Sequence, residues 1–489
     1  MGDMTTREAV PAAHPESSGR ALSGLARSLT GLTSGALTYA CVGATAGIFS
    51  LFAFSLSSSG PAFFWGWVIV AVSLGLMSLV WAELSSHFPF AGSLYQWPLQ
   101  IAGRRAGWWV GWLYLGALLA LLPAYVIVMP AVLTPLLGLE GSRGEVIGIA
   151  VGLIVVATLL NLFGIELLGR IAAIGVAAEL TVFIGLSIVV YVIGPHQSPS
   201  LLFESGGTGS TFGDWLPGFI AGGMFVGLWA LFMFETAGTL GEETIDAKRQ
   251  APRAILGAFA VTVLCGAFFL LLFILSIPDL GATMKSTTPI QDIITVELPS
   301  WVADAYLVMI AWTLLLATNG LFTAMCRHVF SMARDEQLPF SRALSMTNRN
   351  RSPWVAALVI CVLTSLPIII ITSDLTVLVI GAIAAIYVPY VAALAVTLAA
   401  RLRGWPARPA PFSLGRLGIP VNVAAVVLAT ATAVNLLWPR DATNPVWKLD
   451  IRVTYWLIGI PLLVGLVYYP LRQHRRLGTR APEPQLAEQ

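Results

Sequence analysis

The chain has 489 residues, of which 57% are hydrophobic and 11% are charged, and its mean hydropathy is +0.82. A soluble globular protein of this size carries about twice that share of charged residues, so this class is excluded. The net charge is only +2, and the basic residues follow the predicted loops, so no nucleic-acid partner is indicated. The four cysteines lack any Cys-x-x-Cys or Cys/His ligand spacing, so neither a disulfide framework nor a metal site is expected.

Apolar runs of about 20 residues recur along the chain, and a helix of that length crosses the hydrocarbon core of a bilayer. They predict an all-α integral membrane protein with twelve transmembrane helices, and with the lipid bilayer as its surroundings. The predicted spans lie near residues 33–56, 62–86, 106–138, 145–164, 167–194, 216–239, 251–277, 299–326, 353–372, 375–400, 419–438 and 452–472.

The Lys and Arg residues predict the orientation of these spans. Five of the 27 fall on one set of connecting segments, and the other 22 fall on the alternate segments and both tails. Because cytoplasmic loops carry the excess of Lys and Arg, both termini are predicted to be cytoplasmic in a multi-pass protein of the plasma membrane. The five residues predicted outside are Arg143, Lys285, Arg440, Lys448 and Arg452.

The boundaries divide the chain into two helical repeats with additions at the ends. The N-terminal tail lacks an apolar core followed by a cleavage site, so a signal peptide is not expected. The predicted units are a cytoplasmic N-tail 1–30, a first five-helix repeat 31–194, an extracellular loop 195–215, a second five-helix repeat 216–401, helices 11 and 12 in 402–473, and a cytoplasmic C-tail 474–489.

Span 6 carries a carboxylate, Glu235, at membrane depth. Such a group costs about 2.5–3.5 kcal/mol on insertion scales, so it is seldom present without a function. Thr236 and Gly238 beside it predict a break in the helix, and broken helices at this depth are tolerated where they line a cavity. An acid at such a break is typical of the substrate or ion site of a secondary transporter.

Span 1 is also predicted to be broken, at the small-residue cluster from Gly43 to Phe49. Two interrupted helices five spans apart are the pattern of two inverted repeats. The N-terminal ends of the half-helices could hold a carboxylate, and the C-terminal carbonyl groups could hold an ammonium group or a cation.

Three motifs lie in register with this topology, after span 2, in span 6 and after span 8. They are Ala82-Glu83-Leu84 with Pro89-Phe90-Ala91-Gly92-Ser93-Leu94-Tyr95-Gln96-Trp97, Phe234-Glu235-Thr236 with Glu242-Glu243 and Ala251-Pro252-Arg253, and Met332-Ala333-Arg334-Asp335 with Leu338-Pro339-Phe340. With these motifs the chain resembles the amino acid–polyamine–organocation transporter superfamily, closest to its bacterial amino acid/choline, GABA-permease-like branch. The resemblance covers roughly residues 31–402.

The resemblance implies a leucine-transporter-like fold with the substrate between helices 1, 3, 6, 8 and 10. Trp229 and Glu235 are similar to the aromatic gate and proton-linked Glu of arginine/agmatine antiporters. On helix 5, Glu179 takes the place where proton-coupled relatives hold a Lys and sodium-coupled relatives hold a cation. In helix 1, Thr45-Ala46-Gly47 replaces the Gly-Ser-Gly that is frequent in the family, so the hydroxyl of the substrate cradle has moved or gone.

These observations give three groups of candidate residues, with no metal ligand, no cofactor and no enzymatic nucleophile among them. Substrate binding is predicted for Gly43, Ala44, Thr45, Ala46, Gly47, Trp229, Phe234, Glu235 and Thr236. Proton coupling is predicted for Glu235 and Glu179. A cytoplasmic ion-pair gate is predicted from Glu83, Glu242, Glu243, Arg327 and Arg334. Thr318, Asn319 and Thr323 are candidate polar liners of span 8 opposite Glu179, and no role is assigned to His87 and His328, which are expected at the interface.

The leading hypothesis is a secondary active transporter that moves a small amino acid or amine by alternating access, coupled to protons. Sodium-coupled or exchange transport of choline, ethanolamine or a polyamine is an alternative. A solute sensor or scaffold built on a transporter fold is the rival from another class. The sequence leaves the exact substrate, the coupling ion and the oligomeric state open.

Overall fold

The computed structural model describes residues 24–370, 376–438 and 451–473. The predicted C-tail and all but residues 24–30 of the predicted N-tail lie outside the described residues, as do Arg440 and Lys448. Within the described ranges, ten helices are long and apolar enough to cross a membrane. They correspond to predicted spans 1–5, 7, 8 and 10–12. Span 9 is a shorter apolar helix, and span 6 is divided into short pieces, so the predicted all-helical membrane fold is confirmed.

The helices have the following bounds in chain order. Spans 1 to 5 are Gly31–Val42 with Ala44–Ser59, Phe63–His87, Arg104–Val126 with Val128–Leu137, Arg143–Leu162, and Ile165–Ile193. Span 6 comprises Phe212–Gly218, the π-helical turn Phe219–Gly223, Phe225–Ala230, Thr236–Thr239 and the 3₁₀ turn Gly241–Glu243. Spans 7 to 12 are Ala247–Leu275, Ser300–Arg334, Trp354–Ile370, Thr376–Leu402, Gly418–Leu437, and Ile451–Tyr468 with the π-helical turn Tyr469–Gln473.

Short helices connect several of these spans. They are Ser93–Ala102 between spans 2 and 3, Pro199–Phe203 before span 6, Leu280–Lys285 and Pro289–Glu297 between spans 7 and 8, Ser341–Leu344 after span 8, and Gly415–Leu417 before span 11. The helix at Phe212 begins inside the stretch 195–215 that the sequence predicts as a loop.

Spans 1, 3 and 8 form the centre of the bundle, because 72–78% of their most apolar stretches are buried by other parts of the protein. Span 12 is peripheral, with 11% of its stretch buried. Since lipid is as apolar as Leu, helices in a membrane associate through close packing at small residues. At Gly320 of span 8 an added Cβ would lie 2.8 Å from Cα of Cys41, so the backbones of spans 8 and 1 meet there only because position 320 has no side chain.

The segment 24–30 docks on the end of span 6. The backbone N–H groups of Ser28 and Leu29 donate to the Glu243 carbonyl (3.0 and 2.8 Å), and the N–H of Ile245 donates to the Leu29 carbonyl (2.8 Å). We call this end of the bundle, where residues 24–30 lie, the N-terminal face. Its side chains include those of Arg327 and Glu243.

Candidate functional site

Span 1 is broken at a single residue, Gly43, which has a φ of +59°. An added Cβ there would lie 2.7 Å from Cβ of Ala317, so both the backbone and the space favour glycine. The hydroxyl of Tyr125 from span 3 donates to the carbonyl of Val42 (3.0 Å), which the break leaves without a helical partner. On the other side of Gly43 the helix Ala44–Ser59 begins, and its first-turn N–H groups lack intrahelical acceptors. The predicted cradle Gly43–Gly47 is thus a helix N-terminus in mid-bundle.

Trp229 of span 6 covers this cradle. An added Cβ at Gly47 would lie 2.8 Å from Cδ1 of Trp229, so the indole rests directly on the glycine. The Trp229 ring also contacts Tyr125 (centroids 4.9 Å apart) and Phe232 (5.7 Å). The structure thus places Trp229, predicted to bind substrate, against the helix 1 break.

The break in span 6 runs from Leu231 to Glu235 and precedes the Thr and Gly that the sequence suggested as its cause. Met233 has a φ of +68°, a region that residues other than glycine seldom adopt. The Met233 N–H donates to the hydroxyl of Tyr390 (3.2 Å), so a partner from span 10 satisfies the freed backbone group. Thr236 and Gly238 belong to a short helix after the break, which corrects the predicted position.

Glu235 lies at the end of this break and is 1% exposed. Its Oε1 accepts hydrogen bonds from the hydroxyls of Tyr114 in span 3 (2.7 Å) and Tyr390 in span 10 (2.6 Å). Both donors are neutral. Among the described residues, no Lys, Arg or His makes an ion pair with Glu235. A carboxylate buried in this way is stable only with a proton or a cationic partner.

Thr236 joins the two breaks. Its hydroxyl donates to the Met233 carbonyl (2.7 Å) and lies 3.5 Å from Sγ of Cys41, the last residue but one before the span 1 break. The ring of Phe234 packs against Phe259 of span 7 (5.0 Å, nearly perpendicular) and supports the break from that side.

Glu179 of span 5 reaches the same cradle from the opposite side. Its Oε1 accepts a hydrogen bond from the hydroxyl of Thr45 (2.5 Å), in the first turn of the second half of span 1. Thr313 of span 8 lies beside the same carboxylate. The predicted position of Glu179 between spans 1 and 8 is thus matched by its contacts. Among the described residues Glu179 also has no ion-pair partner.

Two charged pairs cross the N-terminal face between spans 6 and 8. Arg327 and Glu243, each 1% exposed, form a two-bond pair at 2.9 and 3.1 Å. Arg334 and Glu242 form a second two-bond pair at 2.8 and 2.9 Å. Four of the five predicted gate residues therefore meet as pairs.

Glu83, the fifth, does not join them and needs a correction. It pairs with Arg401 at the end of span 10 and accepts from the N–H of Leu414 (3.0 Å) and the hydroxyl of Ser413 (3.1 Å). The pair ties span 2 to the connection between spans 10 and 11. Glu83 was grouped with Arg327 and Arg334 because Arg401 was not recognised as its partner, and that pairing depends on the connection between spans 10 and 11 folding back onto span 2.

Two of the three candidate liners of span 8, Asn319 and Thr323, are linked to one of the charged pairs. Asn319 and Thr323 both bond to Asn161 of span 4 (2.8 Å each), and Oδ1 of Asn161 accepts from Arg327 (3.3 Å). Asn319 and Thr323 thereby extend the Arg327–Glu243 pair toward span 4, whereas the buried hydroxyl of Thr318, the third candidate, has no hydrogen-bond partner among the described residues. His328, expected at the interface, is buried, with Nε2 2.9 Å from the Gly111 carbonyl.

The sequence profile of the family described as amino acid permease matches residues 28–464. The chain belongs to the amino acid permease family. This membership confirms the predicted superfamily and shows that the protein is a membrane transporter and not an enzyme.

Individual relatives agree with that assignment. The permease is similar to Amino-acid permease BAT1 of Arabidopsis thaliana, with 23% identity over 84% of this chain and 85% of the relative. It is 26% identical to the GABA-specific permease of Saccharomyces cerevisiae over 62% of this chain and 56% of that protein. It is 25% identical to the branched-chain amino acid permease BcaP of Lactococcus lactis over 62% and 68%.

A crystal structure of a manganese transporter of Eremococcus coleocola has the same fold. The TM-score is 0.60 over 96% of this chain and 98% of that one, at 17% sequence identity. At this identity the likeness concerns the arrangement of the helices alone.

Proposed function

We propose that the permease takes up a small amino acid or amine across the plasma membrane and couples its movement to protons. The observation that carries this proposal is Glu235, a fully buried carboxylate at the break of span 6 whose hydrogen-bond donors are neutral phenols. A positively charged amino group and a proton are the two partners that such a carboxylate can exchange.

The substrate would lie with its ammonium group at Glu235. A carboxylate, where the substrate has one, would bind the first-turn N–H groups of Ala44–Ala46, because a helix N-terminus favours negative charge. Trp229 would cover the substrate, and Thr236 would contact it from span 6. Names of relatives that include GABA, branched-chain amino acids and polyamines agree with a substrate that carries an amino group.

The proton would bind Glu235 when the substrate leaves. Its arrival removes the need for a cationic partner, so the empty carrier can return. Glu179 would be a second proton site, at the position where sodium-coupled relatives hold their ion, and this makes sodium unnecessary. Because Glu179 is hydrogen-bonded to Thr45, a change in the protonation state of Glu179 would alter the substrate cradle.

The N-terminal face would be the cytoplasmic side, and both termini would be inside. In that orientation the pairs Arg327–Glu243 and Arg334–Glu242 close the cytoplasmic exit, and the docked segment 24–30 strengthens the closure. The two five-helix repeats, 31–194 and 216–401, would move relative to each other as the pairs break. Glu83 and Arg401 would hold span 2 to span 10 on the same side.

Uptake by purified permease in proteoliposomes tests the proposal. Radiolabelled γ-aminobutyrate, leucine, putrescine and choline are offered with an acidic outer solution and a neutral lumen, with and without sodium. We expect accumulation of at least one of these compounds that collapses when a protonophore removes the pH gradient. The proposal would be contradicted if uptake were inhibited only by neutral or anionic compounds that lack an amino group.

A further inference from the structure

Arg327 has a second hydrogen-bond partner besides Glu243. Nε and Nη2 of its guanidinium donate to the two carboxylate oxygens of Glu243 (2.9 and 3.1 Å), and Nη1 donates to Oδ1 of Asn161 in span 4 (3.3 Å). Because a guanidinium only donates, the atom of the Asn161 amide that faces it is the oxygen. The two partners bind different edges of one cation, so one partner can leave while the other stays bound.

The Asn161 amide is fixed in this orientation by its other contacts. Its Nδ2 donates to Oδ1 of Asn319 (2.8 Å) and to the Ala157 carbonyl (2.9 Å), and its Oδ1 lies 2.8 Å from the hydroxyl of Thr323. Asn319, Thr323 and Arg327 are spaced four residues apart on span 8, so they form one polar stripe on the helix face toward span 4. The stripe and Asn161 are all buried.

Spans 4 and 8 are joined into one unit at this end of the bundle. The carbonyl of Leu162, the last residue of span 4, accepts from Nδ2 of Asn348 (2.9 Å), which follows span 8 along the chain. Glu243 belongs instead to span 6, and its carbonyl holds the docked N-terminal segment. The bond between Arg327 and Asn161 therefore lies within one unit, whereas the pair of Arg327 with Glu243 crosses between two units.

Opening of the N-terminal face requires a second acceptor for Arg327. This residue lies seven positions before the end of span 8 at Arg334, about 10 Å along the helix at 1.5 Å per residue. A guanidinium buried without an acceptor is costly, so breaking its pair with Glu243 is opposed unless another group binds it. Asn161 is a neutral acceptor that is already bonded to Arg327 on the unit of spans 4 and 8.

We propose that Asn161 is the positioning residue that holds Arg327 on spans 4 and 8 while Glu243 leaves with span 6. The inference rests on the proposed closure of the N-terminal face by the pair. An amide binds a guanidinium less strongly than a carboxylate does, so Asn161 keeps the cation in place without displacing Glu243 from it. The guanidinium thus remains where Glu243 returns to it, and each transport cycle reforms the same pair.

Two substitutions of Asn161 test the inference because they should act in opposite directions. Asn161→Leu removes the acceptor that Arg327 keeps after opening, so the open conformation should become less populated. Asn161→Asp adds a carboxylate that repels Glu243 in the closed conformation and neutralises the cation in the open one, so the open conformation should become more populated. Opening is measured on the purified protein as the rate at which N-ethylmaleimide modifies Cys41, followed by peptide mass spectrometry.

Thr158→Val is the matched control. Thr158 is also buried in span 4, and its hydroxyl donates to the Ile154 carbonyl of its own helix (2.8 Å). We expect Asn161→Leu to slow modification of Cys41 about tenfold and Asn161→Asp to speed it about tenfold or more, as for the loss or gain of one interaction with a charged group. Thr158→Val should keep the parental rate.

Unchanged or faster modification in Asn161→Leu would overturn the inference, because removal of a residue that only supports the closed pair would give that result. Unchanged or slower modification in Asn161→Asp would overturn it as well. If Asn161→Leu does not fold, Asn161→Ala removes the same acceptor and carries the same prediction. Glu243→Gln separates the two claims. Parental modification of Cys41 in that variant contradicts closure by the pair, whereas faster modification in both Glu243→Gln and Asn161→Leu overturns only the role of Asn161.

Discussion

Replacing Glu243 by Gln removes one charge from a fully buried ion pair of the permease. Glu243 and Arg327 are each 1% exposed, and the pair makes two hydrogen bonds. The variant leaves the guanidinium of Arg327 buried beside a neutral amide. The pair crosses from span 6 to span 8, so the change weakens the closure of the N-terminal face.

The expected magnitude follows from burial. Removing one partner of a buried pair costs about 3–5 kcal/mol, because the remaining charge is left uncompensated. If this cost falls on the closed conformation alone, the open population rises about a hundredfold or more, since each 1.4 kcal/mol is a factor of ten. The pair Glu166–Arg170 is the control, because its side chains are 59% and 70% exposed. Glu166→Gln should cost no more than about 0.5 kcal/mol.

Alkylation of native cysteines measures the opening. Cys41, beside the span 1 break, and Cys326, next to Arg327, are both buried. N-ethylmaleimide is applied to the purified protein, and each cysteine is followed separately by peptide mass spectrometry. We expect Glu243→Gln to speed modification of Cys41 about a hundredfold, and Glu166→Gln to leave it unchanged.

The double variant Glu243→Gln/Arg327→Gln completes the cycle. Because no buried charge is left over, it should react more slowly than Glu243→Gln alone. Equal reactivity of Cys41 in Glu243→Gln and Glu166→Gln would refute the assignment of the pair to closure.

Three further predictions concern the site itself. Tyr114→Phe and Tyr390→Phe each remove one hydrogen-bond donor to the buried carboxylate, and such a bond contributes about 1.5–3 kcal/mol. Each variant should therefore raise the substrate concentration for half-maximal uptake about tenfold or more. An unchanged concentration would show that these phenols do not contribute to the site. Gly47→Ala places a methyl group 2.8 Å from the Trp229 indole that covers the cradle, so it should reduce uptake. Gly152→Ala is the control, because a methyl group there meets nothing within 4 Å and uptake should not change. Equal uptake rates of the two variants would contradict the proposed cradle. Glu179→Gln should change the pH dependence of uptake, and replacing sodium by N-methylglucamine should leave parental uptake unchanged; an absolute sodium requirement would make Glu179 a sodium ligand instead.

The spans, the presence of both breaks and the position of the span 1 break could be predicted from sequence because they depend on local properties. Apolar length predicts a spanning helix, and Gly43 breaks span 1 where only glycine fits. The position of the span 6 break depends on tertiary contacts. Leu231 to Met233 contain no Gly or Pro, and the positive φ of Met233 is supported by the hydroxyl of Tyr390. Because Tyr390 belongs to span 10, nothing in the sequence of span 6 indicates this contact.

The partners of the site residues were hidden for the same reason. Glu235 stands out in sequence as an acid at membrane depth, but its donors Tyr114 and Tyr390 are 121 and 155 residues away. A tyrosine in an apolar span resembles any other aromatic residue until its neighbours are known. Arg401, at the end of span 10, looked like one more basic residue at a membrane interface. Its buried pair with Glu83 depends on how the connection to span 11 folds back.

The central claim is that Glu235 exchanges a proton for the amino group of the substrate. Glu235→Gln keeps the shape of the side chain and can still accept from Tyr114 and Tyr390, but it cannot titrate. Uptake is measured against outer pH in proteoliposomes for the parent, for Glu235→Gln, and for Glu166→Gln as an exposed-acid control. We predict that the parent and the control accumulate substrate more strongly as the outer solution becomes acidic. Glu235→Gln should lose accumulation at every pH and keep only exchange down a substrate gradient. A Glu235→Gln protein that concentrates substrate with the parental pH dependence would contradict the claim and direct attention to Glu179.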